Sequence, residues 1–320
     1  IKAALSAYMH FCGDERATGH LVPPLAECRE AQLQRAPAIG GRKLIGDHAN
    51  VGRRSERAEA PVGSEKRSGE EAGRHRRERI RVGAEPISVE ALQRHCEKAL
   101  DLAKQLKADA WGCVFFDRLL ATALLHFGEE ACPRLVLEAG VGGIHDSTNF
   151  FTDELELAVV TSISLDHTAL LGDTLTEIAT NKAGVLRPHT KAVTPSTQPP
   201  EALEALQREA DRVGAELVVV DCSGTSEEPS TKRENRLLAA KACSLLNVEA
   251  DFSSSRWPAR FEEIRVRGRL VIIDAAHNGD SVAKFLEAAH ARFPTTKFTV
   301  VFGCGAEKEG LEAMVDAVRP

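Results

Sequence analysis

The chain has 320 residues and a formal net charge of −6 at pH 7, room for two domains of ordinary size and no overall basic footprint for nucleic acid. Charged residues make up 28% of it and apolar ones 43%, the balance of a soluble globular protein, and no apolar run approaches a membrane span. Cys12, Cys28, Cys96, Cys113, Cys132, Cys222, Cys243 and Cys304 are scattered, with no C-x-x-C pair. This predicts reduced thiols in the cytoplasm; a mitochondrial or plastid form stays open, because the first residue is isoleucine.

Residues 1–76 are atypical. Ile1 to Phe11 fits a short helix, but from Asn50 onward Arg, Glu, Gly and Ala dominate and no period of 2 or 3.6 carries an apolar face. Low hydrophobicity with dense charge predicts a disordered segment; a mistranslated stretch or an irregular part of a domain gives the same pattern. Order resumes at Arg77 with a short extended piece, a turn restrained by Pro86, and a helix capped by Ser88. Its stripe is Leu92, Cys96, Leu100, Leu102 and Leu106. A second helix covers Phe115 to Phe127, with Leu119, Leu120, Ala123, Leu124 and Phe127 inward.

Apolar runs then predict strands at Leu135–Glu138, Leu157–Ser162, Leu217–Asp221, Leu270–Asp274 and Phe298–Phe302. Helical patterns lie between most of them, at Thr174–Ala183, Glu201–Val213, Arg233–Leu246, Ser281–Phe293 and Ala306–Val318. This alternation predicts an α/β fold with a parallel sheet covered by helices on both faces. A boundary is expected between Arg260 and Arg269, where V-R-G-R reads as a polar turn before a new strand. The two strands beyond it are too few for a doubly wound domain. Either the second domain is truncated or those strands join the first sheet.

Chemistry-bearing residues gather at the predicted strand ends, where open α/β sheets bind ligands. Glu138 precedes A-G-V-G-G, whose glycines allow close backbone approach to a phosphate or simply make a tight bend. Asp146, Ser147, Thr148 and Asn149 form a polar loop that caps local backbone or binds substrate. Asp166, His167 and Thr168 follow the second strand. Glu138 with His167 could hold a divalent ion such as Mg²⁺, which keeps water and phosphate ligands; a lone histidine is otherwise a structural hydrogen-bonder. No H-E-x-x-H occurs, which disfavours a hydrolytic zinc centre. Lys182 lies at a helix end, where it complements the helix dipole or turns toward a phosphate. Asp274, His277 and Asn278 form a polar corner between strand and helix, with Asp280 or Ser281 as the N-cap. Trp257 and Arg260 suit base stacking and phosphate contact, or an ordinary domain seam.

Six segments in order resemble the folylpolyglutamate synthase and dihydrofolate synthase family of ATP-dependent amide ligases, relatives of the Mur ligases. They are RERIRVGAEPIS ending at Ser88, LVLEAGVGGIHDSTN at 135–149, TSISLDHTALLGDTLTEIATNKAGVLRP at 161–188, ENRLLAAKA at 234–242, WPARFE at 257–262 and VIIDAAHN at 271–278. The resemblance implies a three-layer, parallel-sheet ATPase domain of the Mur ligase central type at 77–266. A truncated, smaller α/β domain follows at 267–320. It implies Mg²⁺ on Glu138 and His167, a carbamylated Lys182, and ATP contacts from Asn235 and Arg260. Asp274 and His277 would close over ATP as binding and catalytic residues, and a monovalent cation is compatible with the site. The implied reaction turns a folate carboxylate into an acyl phosphate, which the amine of L-glutamate attacks. The substrates would be ATP, L-glutamate and either a reduced folate or, for first-glutamate addition, dihydropteroate. A monomer is expected, with neither nucleic acid nor membrane as partner.

The sequence departs from the family at three places. No G-K-[ST] phosphate loop precedes RERIR; Gly40-Gly41-Arg42-Lys43-Leu44 lacks the hydroxyl that such a loop gives Mg²⁺. Ala275 stands for the usual glycine, and the stretch before Glu234 reads S-T-K-R. A catalytically inactive relative or fragment is therefore a second expectation for this chain.

Overall fold

The computed structural model describes residues 77–105, 115–150, 155–224, 229–252, 258–303 and 310–318. The expectations for residues 1–76, for Leu106 and for Trp257 lie outside them. The chain divides after Thr152 into two compact units.

In the first unit, β1 (Arg81–Val82) and β2 (Glu85–Pro86) pair antiparallel around Gly83, whose φ is 58°. Helix α1 (Val89–Gln105) follows, and the Ser88 hydroxyl accepts from the Ala91 N–H at 3.0 Å, the predicted cap. Helix α2 (Phe115–Glu129) packs against α1. Ile80 and Ile87, each 1% exposed, are buried with Leu92, Leu119, Ala123 and Phe127. The inward stripe of α1 differs from expectation. Leu100 is exposed, and Ala91, Leu92, His95 and Ala99 face in, because α2 covers that side.

Leu135–Glu138 is extended but is no strand. Leu135 and Leu137 lean on the α1–α2 core while Val136 is 97% exposed. A strand needs a ladder, and among the described residues none pairs with this segment.

The second unit holds the expected parallel sheet, in the order β3 (Leu157–Val159), β4 (Lys191–Pro195), β5 (Glu216–Val220). Between β3 and β4 run the short α3 (Thr168–Leu171) and α4 (Leu175–Lys182). α5 (Pro200–Val213) crosses from β4 to β5 and buries Ala202, Ala205, Leu206 and Ala210. α6 (Ser230–Leu245) sets Leu238 and Ala242 against Val193. β4 lacked a sequence prediction because Thr194 and Pro195 break its apolar run, yet Ala192, Val193 and Thr194 are fully buried.

Beyond residue 258 the strand expected at Leu270–Asp274 is present and the one expected at Phe298–Phe302 is not. Glu262–Val266 is a strand, β6, which pairs antiparallel with β7 (Arg269–Ile273) instead of joining the parallel sheet. The polar turn is its hairpin loop, with Arg267 at φ 50° and Gly268 at φ 77°, the left-handed pair that matches strand twist. Phe298–Phe302 is not a strand, and Val301 is 94% exposed. α7 (Gly279–Arg292) and α8 (Leu311–Val318) complete the unit. They pack closely: a Cβ on Gly279 would lie 2.9 Å from Ala313 Cβ. Among the described residues no helix is long and apolar enough to cross a membrane.

The link from α3 to α4 carries the most demanding turn. Thr174 and Glu177 form a capping box, and Glu177 Oε2 also accepts from the Asp173 N–H at 2.9 Å. The Thr174 hydroxyl and these amides hold the Glu177 carboxyl below its ordinary range. Its contribution is therefore complete above the ordinary carboxylate range and fades as pH falls through the lowered value. Gly172, at φ 113°, has no room for a side chain, since an added Cβ would meet Glu177 Cβ at 2.4 Å. Gly172→Ala is expected to cost about 2 kcal/mol or more in urea unfolding, from strain and displacement of the cap together.

Candidate functional site

The carboxyl end of the parallel sheet is held by one side chain. Gln198, 5% exposed, follows β4 and reaches across to the segment leaving β3. Its Oε1 accepts from the Ile163 N–H at 2.9 Å. Its Nε2 donates to the Thr161 carbonyl at 2.8 Å and to Thr194 Oγ1 at 2.9 Å. With Ile163 buried, this fixes the course of the chain into Asp166 and His167. Beside it, Thr197 donates to the buried Glu234 at the start of α6. Neither Gln198 nor Glu234 was foreseen. The residue types alone carry no signal for them, since β4 itself is not legible in the sequence.

Asp166 is the meeting point. Its Oδ1 accepts from the His167 N–H at 3.0 Å. Its Oδ2 accepts from Asn278 Nδ2 at 3.1 Å and lies 3.4 Å from His277 Nε2. These partners are more than a hundred residues away in sequence. His167 is left-handed, φ 52°, as it opens α3. Histidine is one of the residues that adopt this backbone more readily than most.

The second wall of this corner is the start of α7. Its N-cap is Asn278, neither Asp280 nor Ser281. Asn278 Oδ1 accepts from the Ser281 N–H at 2.8 Å, and Ser281 Oγ accepts from the Asn278 N–H at 3.0 Å. Ser281 takes the acidic residue's place in the box because its hydroxyl reaches back. His277 Nδ1 lies 2.9 Å from the Ala275 carbonyl. A ring whose Nδ1 hydrogen is committed there donates to Asp166 only when Nε2 is protonated too. The helix N-terminus adds partial positive charge toward the same carboxylate.

Asp274 is the carboxylate at the end of β7, and both its oxygens accept from nearby backbone. Its Oδ2 accepts from the Phe261 N–H and its Oδ1 from the Ala276 N–H, both at 2.8 Å. It ties the end of β7 to the loop bearing Arg260, which is exposed between Ala259 (φ 55°) and Phe261 (φ 48°). The Ala275 N–H donates to the Ala259 carbonyl at 2.9 Å. Asp274 is a positioning residue here, and Arg260 the projecting one. Lys182 ends α4 half-buried, and Asn235 is exposed on the first turns of α6.

In the first unit the polar loop holds itself. Buried Asp146 accepts from the Gly140 and Val141 N–H groups at 2.7 and 3.0 Å through Oδ2. Through Oδ1 it accepts from the Thr148 N–H and hydroxyl at 2.9 and 2.6 Å. Asn149 Nδ2 donates to the Ile144 carbonyl at 3.3 Å. The Asp146 carboxylate therefore folds the glycine turn and leaves Glu138 exposed beside it.

Replacing Gln198 by leucine strands a buried amide and a carbonyl together. Gln198→Leu is expected to lower unfolding free energy by about 2–4 kcal/mol. Faster amide hydrogen exchange at Ile163 than at Val193 would locate the loss.

Known proteins resemble this chain along most of its length. Residues 259–320 match the Mur ligase, glutamate ligase domain. The dihydrofolate synthase/folylpolyglutamate synthase of Bacillus subtilis is 30% identical over 271 residues, 72% of this chain and 62% of that protein. The folylpolyglutamate synthase of Lacticaseibacillus casei is 28% identical over 279 residues, 75% of this chain and 64% of that protein. A solved folylpolyglutamate synthase complex with AMPPCP and folate superposes with a TM-score of 0.65 at 25% identity, over 75% of this chain and 67% of that one. The chain spans less than two thirds of the length of the two curated relatives. It is a homologue of the folylpolyglutamate synthase and dihydrofolate synthase family, and residues 259–320 carry its Mur-type glutamate ligase segment.

Proposed function

We propose that this chain is the working part of an ATP-dependent ligase that adds L-glutamate to the carboxylate of a reduced folate. The observation that carries the reading is the seating of the α7 N-terminus on Asp166. It joins the strand-end loop of the parallel sheet to the segment matching a glutamate ligase domain. The 14-residue α7 begins close to the loop that bears exposed Arg260, an arrangement that suits an anionic substrate group.

Within this reading the residues from 77 up to the β6–β7 hairpin are the ATPase part, and the smaller domain, expected from 267, takes in the whole hairpin and the match that begins at residue 259. ATP with Mg²⁺ would activate the folate carboxylate as an acyl phosphate, for the glutamate amine to displace phosphate. Glu138, an exposed carboxylate next to a glycine turn, is an oxygen donor of the kind a hydrated magnesium ion takes, and His167 would add an imidazole beside it. Arg260 and Asn235 would contact the nucleotide, and His277 would carry positive charge toward the phosphates when doubly protonated. Lys182 would be carbamylated, adding an acidic group. Asp166 would orient His277, and Asp274 would set the Arg260 loop. Asp146 and Thr148, with Asn149, would shape the turn beneath the substrate.

Dihydropteroate as acceptor is the alternative, and the naming of the Bacillus subtilis relative for both activities favours keeping it. The absence of G-K-[ST] from the sequence favours a relative that binds without turnover.

Glutamate-dependent ADP release separates these readings. Release with tetrahydrofolate is expected. Release with dihydropteroate alone would move the assignment to first-glutamate addition, and release with neither from folded protein would end the catalytic reading. Glu138→Gln and His167→Ala are each expected to weaken Mg²⁺-dependent nucleotide binding by about tenfold or more. Unchanged metal dependence in both removes their role.

A further inference from the structure

A second cluster lies in the first unit, outside the residues discussed above. His126 and Glu129 stand one turn apart on α2, so they share a face. His95 faces them from α1. One ligand atom from each of the three residues falls within 4.8 Å of the others, and among the described residues no other group of three metal-capable side chains does this.

Both histidines are 6% exposed. His95 Nδ1 and His126 Nδ1 are buried without a hydrogen-bond partner. His95 Nε2 is 2.7 Å from Glu129 Oε2, an ion-pair distance outside hydrogen-bond geometry. Buried ring nitrogens are usually satisfied, so an unsatisfied pair with ring centroids 5.8 Å apart calls for a physical cause.

We propose that His95, His126 and Glu129 form a binding site for a divalent transition metal of the zinc type, clamping α1 to α2. Two imidazoles and one carboxylate are borderline ligands of this class, whereas calcium and magnesium favour all-oxygen sets. Three protein ligands leave a fourth tetrahedral position for water, and Glu129, about half exposed, opens that side to solvent. Zinc ligands lie about 2.0–2.1 Å from the ion and so roughly 3.4 Å from one another. The cluster must therefore contract, and the exposed carboxylate is free to make the movement. Arg94 now donates to both Glu129 oxygens, at 2.7 and 2.6 Å. That pair is solvent-exposed and weak enough for a metal to displace.

The test is zinc titration of the full reduced chain against a chromophoric chelator, with thermal unfolding in parallel. His126→Phe keeps an aromatic ring in the core, and Glu129→Gln changes an exposed group, so the second variant reports even if the first misfolds. Cysteine sites elsewhere are common to all three proteins and cancel. The parent is expected to hold one zinc equivalent more than either variant, with a zinc-dependent rise in thermal midpoint that both variants lose. Equal equivalents and equal thermal shifts in parent and variants overturn the proposal.

Discussion

The three hydrogen bonds of Gln198 govern the second unit. A parallel sheet ends in backbone groups that its own ladder no longer pairs, and those that are buried need another partner. The Gln198 amide supplies an acceptor for the Ile163 N–H and a donor for the Thr161 carbonyl. It thereby continues the β3–β4 pairing with a side chain after the strands have diverged. The direction of the chain into Asp166 follows from this, and the left-handed turn at His167 then opens α3.

Carboxylates take two roles in this chain. Asp146 and Asp274 are spent on backbone amides, each closing a loop that would otherwise be loose. Asp166 accepts side chains across a large sequence separation, and Glu138 is exposed.

Local order was well written in the sequence, and pairing was not. The cap at Ser88 and the helices at 175–182 and 200–213 follow from residue types a few positions apart. β4 was hidden because Thr194 satisfies its hydroxyl through Gln198, a partner invisible to periodicity. Glu262–Val266 was hidden because its charged residues read as a linker until β7 folds back on it. For the site, Asp166 and His277 could each be picked out as polar residues after apolar runs. Their contact depends on tertiary packing. Asp274 was legible as a strand-end carboxylate, but its use on the Phe261 and Ala276 amides was not.

Asn278 is shared between two duties. The same amide group that starts α7 through its oxygen grips Asp166 through its nitrogen. Fraying of the first helical turn must therefore slacken the loop opposite, and tightening there must stiffen the helix. One amide thus couples the two sides, and a molecule that engages one of them would be felt at the other.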